Sequence, residues 1–540
     1  MAKWHGNPWA VLLTLSMGFL MTLLDLTIVN IAIPSMIDQL DASLDEVLWV
    51  INAYVLVLAV LLITFGRLGD LRGQRNMFIA GVAVFTLASL ACGLAQNPTE
   101  LIAARAVQGL GAAALMPQTM AMIVATFPAD RRGTALGIWG AVAGLATVIG
   151  PTLGGFLITW LSWRWIFFIN IPIGAAVLVA AFTILPDIRL GRQHRFDWTG
   201  VALATGALFC LSFSLTEGQR YDWAPWIWAL FAGSFVLVAA FLMHQRTRQA
   251  EEPLVPFVLF RDRNFTIMNF VGAASSIGII GFYIVITIYM QSVLGFSAVR
   301  TGLVLATAPV VSVFVAPVAG RMADVVGGKF ILMGGLALFG VGTAWLSEIS
   351  HVGTDWPAFL PPQVAMGLGM GAIFAPMATE AMRGVAPQLA GAASGLINTV
   401  RQVGSVVGSA AVGALLQHQL VNSLREQAAD RAGQVPASYR GDFLAAFRDI
   451  GRGGLEVGAG QSGVAQNIPS SLPADVVAHL RQVSADVFHY GFVQAMHSTL
   501  LLPSAVILLG ALTCLAMSRH TKAGPPSAEP AKEAPMAATG

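Results

Sequence analysis

Apolar residues run almost unbroken along this chain, and polar ones gather into short breaks between the runs. The first run begins at Trp9 and the last ends at Met517. Each is long enough, at about 1.5 Å per residue, to cross a hydrocarbon layer about 30 Å thick. The breaks place fourteen helical spans, near residues 9–37, 47–68, 77–96, 99–127, 133–160, 165–186, 197–217, 223–243, 265–294, 301–321, 330–348, 357–380, 389–418 and 490–517. The first run is too long for the core of a signal peptide, and no small-residue cleavage site follows it, so it counts as span 1. Trp9, Trp160, Trp163, Trp165, Trp223, Trp226, Trp345 and Trp356 fall near span ends, where amphipathic rings favour the interface. The pattern is that of an all-α polytopic membrane protein.

Composition agrees: of 540 residues 56% are hydrophobic and 11% charged, too little charge to clothe a soluble chain of this length. The net charge of +2 decides nothing, whereas its placement does. With the N-terminus set in the cytoplasm, nineteen Lys and Arg fall on that side. Only Arg164, Arg220 and Arg300 lie in short outer breaks, and the first outer break is acidic (Asp38, Asp41, Asp45, Glu46). The positive-inside rule then places both termini in the cytoplasm and the chain in the cytoplasmic (inner) membrane. Cys92, Cys210 and Cys514 all lie inside apolar runs, as packing residues rather than disulfide partners or metal ligands. Two stretches fall outside the bilayer. Residues 419–489 read as a long polar outer loop, with a short amphipathic helix behind Pro473 whose stripe is Val476, Val477, Leu480, Val483 and Val487. That stripe is expected to pack on neighbouring helices. From Thr521 the Pro/Ala/Glu/Lys-rich tail is expected to be disordered.

The chain also repeats itself. GRLGDLRGQR at 66–75 returns as GRMADVVGGK at 320–329, which pairs Gly66, Asp70, Gly73 and Arg75 with Gly320, Asp324, Gly327 and Lys329. Gly109-Leu110-Gly111 returns as Gly367-Leu368-Gly369, and Gly137 and Gly150 as Gly395 and Gly408. Span n therefore maps onto span n+8, giving a 6+2+6 plan. Residues 1–186 form one six-helix half, 187–264 two inserted helices with their flanking loops, 265–518 the second half, and 519–540 the tail. Two parallel repeats with a site between them near the midplane are a transporter architecture.

Charge inside the spans is where chemistry is expected. Asp25 stands roughly 20 Å along span 1, too deep to reach the interface. Arg105, with Gln108 one turn on, lies inside span 4, and a charge at such depth needs a partner or water. A proton and a lipophilic cation can compete for an acid like Asp25; the plainer alternative is a structural Asp hydrogen-bonded near Asn30. Asn398, Arg401 and Gln402 form a polar patch in span 13 that the repeat turns toward the central pathway. Glu380 and Arg383 read as an interfacial ion pair, and Phe282, Tyr283, Tyr289 and Met290 as core, with an adaptable pocket lining as the alternative. The chain carries no GxxxxGK[ST] loop, no hydrolytic cluster and no metal-ligand spacing. A primary ATPase and a hydrolytic enzyme are excluded on that ground, and no cofactor or nucleic-acid partner is called for.

LDLTIVNIAIP (24–34), GRLGDLRGQR, LIAARAVQGLGAA (101–113), ATVIGPTLGGFL (146–157) and WRWIFFINIPIG (163–174) follow one another at the right helix ends. Together they resemble the major facilitator superfamily, in its fourteen-helix drug:proton antiporter branch (the EmrB/QacA type). The resemblance covers every span and leaves out the outer loop and the tail. It implies alternating-access export of small lipophilic, often cationic compounds across the bilayer in exchange for protons. It implies that Asp70, with Gly66, Arg72, Gly73 and Arg75 in its loop, docks on the start of span 13 as an inside gate; enforcing topology is the other reading of the basic residues. Arg105 would take part in proton transfer, rather than merely bond helix-end carbonyls. Gly150, Pro151, Gly154 and Gly155 would seal against proton leak, although Ala146 stands where the signature has a leading glycine. Export of an endogenous lipid, siderophore or antibiotic is the alternative, a non-transporting sensor or assembly partner a third reading, and a periplasmic adaptor an open partner.

Overall fold

The computed structural model describes residues 6–42, 44–128, 130–187, 197–218, 220–221, 223–249, 253–449 and 474–518. Among these are fourteen helices long and apolar enough to cross a membrane. The first half comprises α1 (Pro8–Ile28), α2 (Glu46–Arg72), α3 (Gln74–Leu94), α4 (Pro98–Thr126), α5 (Arg132–Trp160) and α6 (Trp165–Ile184). The inserted pair is α7 (Trp198–Glu217) and α8 (Pro225–Thr247). The second half comprises α9 (Arg263–Val293), α10 (Val299–Val326), α11 (Lys329–Ile349), α12 (Trp356–Met382), α13 (Ala390–Gln434) and α14 (Val476–Ala516). Polar caps start several of them: Asn7 accepts from the amides of Trp9 and Ala10, Asn97 from Glu100, and Asp262 from Asn264 and Phe265. Gly73 and Gly327, at φ of 98° and 87°, hold the left-handed turns after α2 and α10.

Packing follows the sequence repeat. Within the first half α1 lies on α5 and α6, α2 on α4, and α3 on α4 and α6; α9, α10 and α11 repeat each pairing with the helix eight places on. The halves meet along two equivalent seams, α2 against α13 and α10 against α5. Both seams are made possible by missing side chains. A Cβ on Gly66 would stand 2.5 Å from the Gly391 carbonyl oxygen, and one on Gly320 would run into the Gly133 carbonyl oxygen. The inserted α7 and α8 pack on each other, and α7 also touches α2 and α13.

Three expectations fail in detail. Residues 419–431 are not loop: α13 continues through them, because neither Gly nor Pro interrupts the chain between Gly413 and Gly433. Likewise the stripe behind Pro473 is no separate helix but the beginning of α14. The two extensions pack on one another outside the apolar layer. Leu420, Leu424 and Ala428 are buried with Leu480, Val483 and Val487, the helix Arg440–Asp449 buries Phe443 and Phe447 beside them, and Arg431 lies 4.4 Å from the Tyr490 ring. The stripe thus packs on helices, as expected. Span 1 ends early: a 3₁₀ turn over Val29–Ala32 precedes a short helix Ile33–Leu40, since Pro34 has no N–H to continue the ladder. The C-terminal tail from Thr521, expected to be disordered, lies outside the described residues, as do residues 188–196 ahead of α7.

Candidate functional site

Asp25 and Arg105 find each other. Arg105 Nη1 donates to Asp25 Oδ2, and both side chains are 0% exposed. Around the pair, Gln108 Nε2 donates to Asp25 Oδ1 at 2.8 Å and to Ser89 Oγ at 2.7 Å. Arg105 Nη1 reaches Gln108 Oε1 at 2.6 Å, and Nε donates to the Val50 carbonyl at 3.0 Å. Asn170 Nδ2 stands 3.4 Å from Asp25 Oδ1, and the Tyr54 ring lies 4.3 Å from the guanidinium carbon. Five of the six helices in the first half thus contribute to one dry network. In so low a dielectric each charge depends on the other, and either left alone costs several kcal/mol, about 3–5 by analogy with other buried pairs. A proton arriving at Asp25 therefore releases Arg105 from its partner. Arg105 thus bonds a backbone carbonyl of α2 as well as the carboxylate. Asp25 is bonded by Arg105 and Gln108 with Asn170 in reach, while the side chain of Asn30 lies outside the described residues.

Beyond that network, α1 is gripped by α5. A Cβ on Gly150 would run into Thr27, and one on Gly154 would stand 2.7 Å from Ile28, while Thr27 Oγ1 donates to the Ala146 carbonyl at 3.3 Å. The signature glycines therefore bear on the turn just after Asp25. Gly155 is the exception, with nothing within 4 Å of its Cβ position; at one residue past Gly154 it faces away from α1. The Pro151 ring lies outside the described residues, and α5 passes through that position as one helix.

At the end of the bundle carrying the α2–α3 turn, two latches close the seams. Asp70 accepts from the backbone amides of Gly391 and Ala392, both at 2.8 Å, at the first turn of α13. Asp324 accepts from Gly133 N at 2.6 Å and Thr134 N at 2.8 Å, at the first turn of α5. The positive end of each helix meets a carboxylate from the other half. The final bases are equivalent too: Arg75 Nη2 donates to the Phe182 carbonyl near the end of α6, and Lys329 Nζ to those of Leu515 and Met517 at the end of α14. Arg72 is exposed and makes no latch contact among the described residues. The Glu380–Arg383 pair, at 3.0 Å, is more than interfacial. Glu380 is buried and accepts from Gly328 N at 2.7 Å, tying α12 to the second latch loop.

Asn398, Arg401 and Gln402 lie in one stretch of α13. Asn398 turns back to the Ser394 carbonyl at 2.9 Å, and no hydrogen bond joins Asn398, Arg401 and Gln402 among the described residues. Phe282, Tyr289 and Met290 are core. Sequence reasoning missed Tyr54, Ser89 and Asn170, because single polar residues on three further helices carry no periodic signal. It also missed Glu217 at the end of α7, which accepts from Asn52 Nδ2 at 3.1 Å beside a small open cleft lined by α2, α7 and Val406. No group of three metal-ligating side chains occurs among the described residues.

Known proteins share the family and the fold. The model of the Major Facilitator Superfamily matches residues 15–409. An uncharacterized MFS-type transporter of Mycobacterium tuberculosis is 38% identical over 455 residues, 83% of this chain and 78% of that one. A tetracenomycin C resistance and export protein of Streptomyces glaucescens is 35% identical over 416 residues, 76% of each. Among solved structures, the human organic anion transporter MFSD10 (TETRAN) aligns with a TM-score of 0.59 at 12% identity, over 93% of this chain and 99% of that one, a likeness of fold. With its fourteen spans, its repeated halves and its paired latches, the chain belongs to the Major Facilitator Superfamily.

Proposed function

We propose that this transporter exports small lipophilic compounds, drugs or antibiotics among them, in exchange for protons by alternating access, with no cofactor. The carrying observation is the dry Asp25–Arg105 pair. A proton that neutralises Asp25 frees a buried guanidinium, and only a rearrangement of the first half can then satisfy it. Gly150 and Gly154 bear on the same turn of α1, so the rearrangement reaches α5 and, through it, the Asp324 latch. The basic breaks put both termini and the latches in the cytoplasm, so the closed latches belong to an outward-facing state. A gradient suffices as energy source, since one charge moving through 100 mV yields about 2.3 kcal/mol. A sensor has no use for a dry, exchangeable charge pair, while the export protein named among the relatives favours antibiotic efflux as the specific form.

The test uses the full chain in proteoliposomes with an imposed pH gradient and a lipophilic dye. Dye moving against protons, with proton flux rising on dye addition, supports the reading. Dye flux indifferent to the gradient refutes it.

A further inference from the structure

Five acids within the spans or at their ends are matched. Asp25 has Arg105, Glu217 has Arg220 at 3.3 Å, Glu380 has Arg383, and Asp70 and Asp324 sit on helix N-termini. Arg401 is left over. It lies eleven residues into α13, about 16 Å from its start, well beyond the Asp70 latch. Among the described residues its guanidinium makes no ion pair or hydrogen bond, and Nε is buried without a partner. What it does meet is the ring of Phe374 from α12, 4.8 Å away. On the α9 side it crosses Gly272, where a Cβ would stand 3.3 Å from Arg401 Cγ and 3.7 Å from Met377 Sδ. Phe374 in turn faces the other half, its Cβ 3.9 Å from the Cβ position of Gly140 on α5. The group therefore sits where the halves meet, and both Arg401 and Phe374 are only half-buried.

A guanidinium over an aromatic ring keeps a fork of N–H donors free at its edge, the geometry that matches a carboxylate, sulfonate or phosphate. At this depth an unmatched cation is costly unless water or an anion meets it. The Phe374 ring and the pliant Met377 thioether supply an apolar wall for a flat molecule. We infer that the seam between α9, α12 and α13 binds lipophilic anions, with the acid group on Arg401 and the apolar body against Phe374 and Met377. This deepens the export reading and rests on it. It also reverses the substrate charge that Asp25 alone suggests, because Asp25 is already occupied by Arg105.

Three pyrene derivatives that share the ring and carry an anionic, a neutral or a cationic head group decide it: 1-pyrenesulfonate, 1-pyrenemethanol and (1-pyrenylmethyl)trimethylammonium. Binding of each to the full chain, in nanodiscs of neutral lipid, is read by fluorescence anisotropy for the native protein, Arg401→Gln and Arg401→Lys. The sulfonate should bind at least about tenfold tighter than the ammonium. Arg401→Gln should abolish that preference while binding the alcohol within about twofold of native, which shows the fold intact, and Arg401→Lys should retain part of it. Native protein that binds the ammonium as tightly as the sulfonate overturns the inference without recourse to any variant, as does an Arg401→Gln protein that keeps the preference. Under a pH gradient in proteoliposomes, proton-coupled movement of the ammonium but not the sulfonate leaves export standing and sinks this site. Movement of none of the three counts against export, while the titration still decides the site.

Discussion

Replacing Asp70 by Asn should open the latched end of the transporter. The carboxylate accepts two backbone amides of α13 at 2.8 Å, and the amide replacing it can satisfy only one, turning its own N–H₂ toward the other. Hydrogen bonds to a charged group contribute about 1.5–3 kcal/mol, and the helix N-terminus about 0.3–1 more. A loss of about 2 kcal/mol changes the ratio of closed to open molecules by about thirtyfold. Asp324→Asn should act equally, since its two amide bonds are equivalent, and the sites are independent enough for the double variant to approach a thousandfold. Spin labels at Asn76 and Gln388, exposed on opposite halves at this end, report the separation by pulsed electron resonance once the three native cysteines are replaced. The open distance should gain population in each single variant and dominate in the double. An unchanged distance distribution in both single variants would refute the latch.

Asp25→Asn and Arg105→Gln should each lower the thermal stability of the purified protein, by the equivalent of about 3–5 kcal/mol, and the double variant should recover most of it; additive losses would mean the two charges do not depend on each other. Gly66→Ala places a Cβ 2.5 Å from the Gly391 carbonyl oxygen and should open the same labelled distance as Asp70→Asn without unfolding either half, and an unchanged distribution would contradict the close approach of α2 and α13. Asp197, outside the spans, accepts from Gly200 N, Gln245 Nε2 and the His244 ring. Burial pushes its carboxyl up, but the hydrogen bonds from His244, Gly200 and Gln245 outweigh this and hold it below the usual range. Its stabilisation of the α7–α8 pair is therefore complete above the ordinary carboxylate pKa of about 4 and lost as pH falls below it. Melting temperature should drop below that pH, and Asp197→Asn should flatten this limb; an acid limb as steep in the variant as in the native protein would assign the loss elsewhere.

All fourteen spans were legible because runs of apolar residues longer than the bilayer admit one structure. The n+8 repeat was legible because Gly66 and Gly320 must each meet a glycine of the other half, and sequence keeps glycines where backbones touch. Asp25 and Arg105 stood out singly, since charge is rare in such runs. Their union with Tyr54, Ser89 and Asn170 did not, because those contacts join five helices across separations that no local period encodes. The extensions of α13 and α14 were hidden for a different reason. Hydropathy marks where the bilayer ends, whereas a helix ends only where glycine, proline or a cap stops it, and Leu424 and Val487 continue the apolar stripe beyond the bilayer.

The most direct test of the account separates coupling from transport. In proteoliposomes holding the exported compound on both sides, Asp25→Asn should lose accumulation driven by a pH gradient while keeping one-for-one exchange of labelled for unlabelled compound, because the pathway remains and only the proton-binding acid is gone. Accumulation at the native rate by Asp25→Asn would contradict the assignment of proton coupling to the Asp25–Arg105 pair.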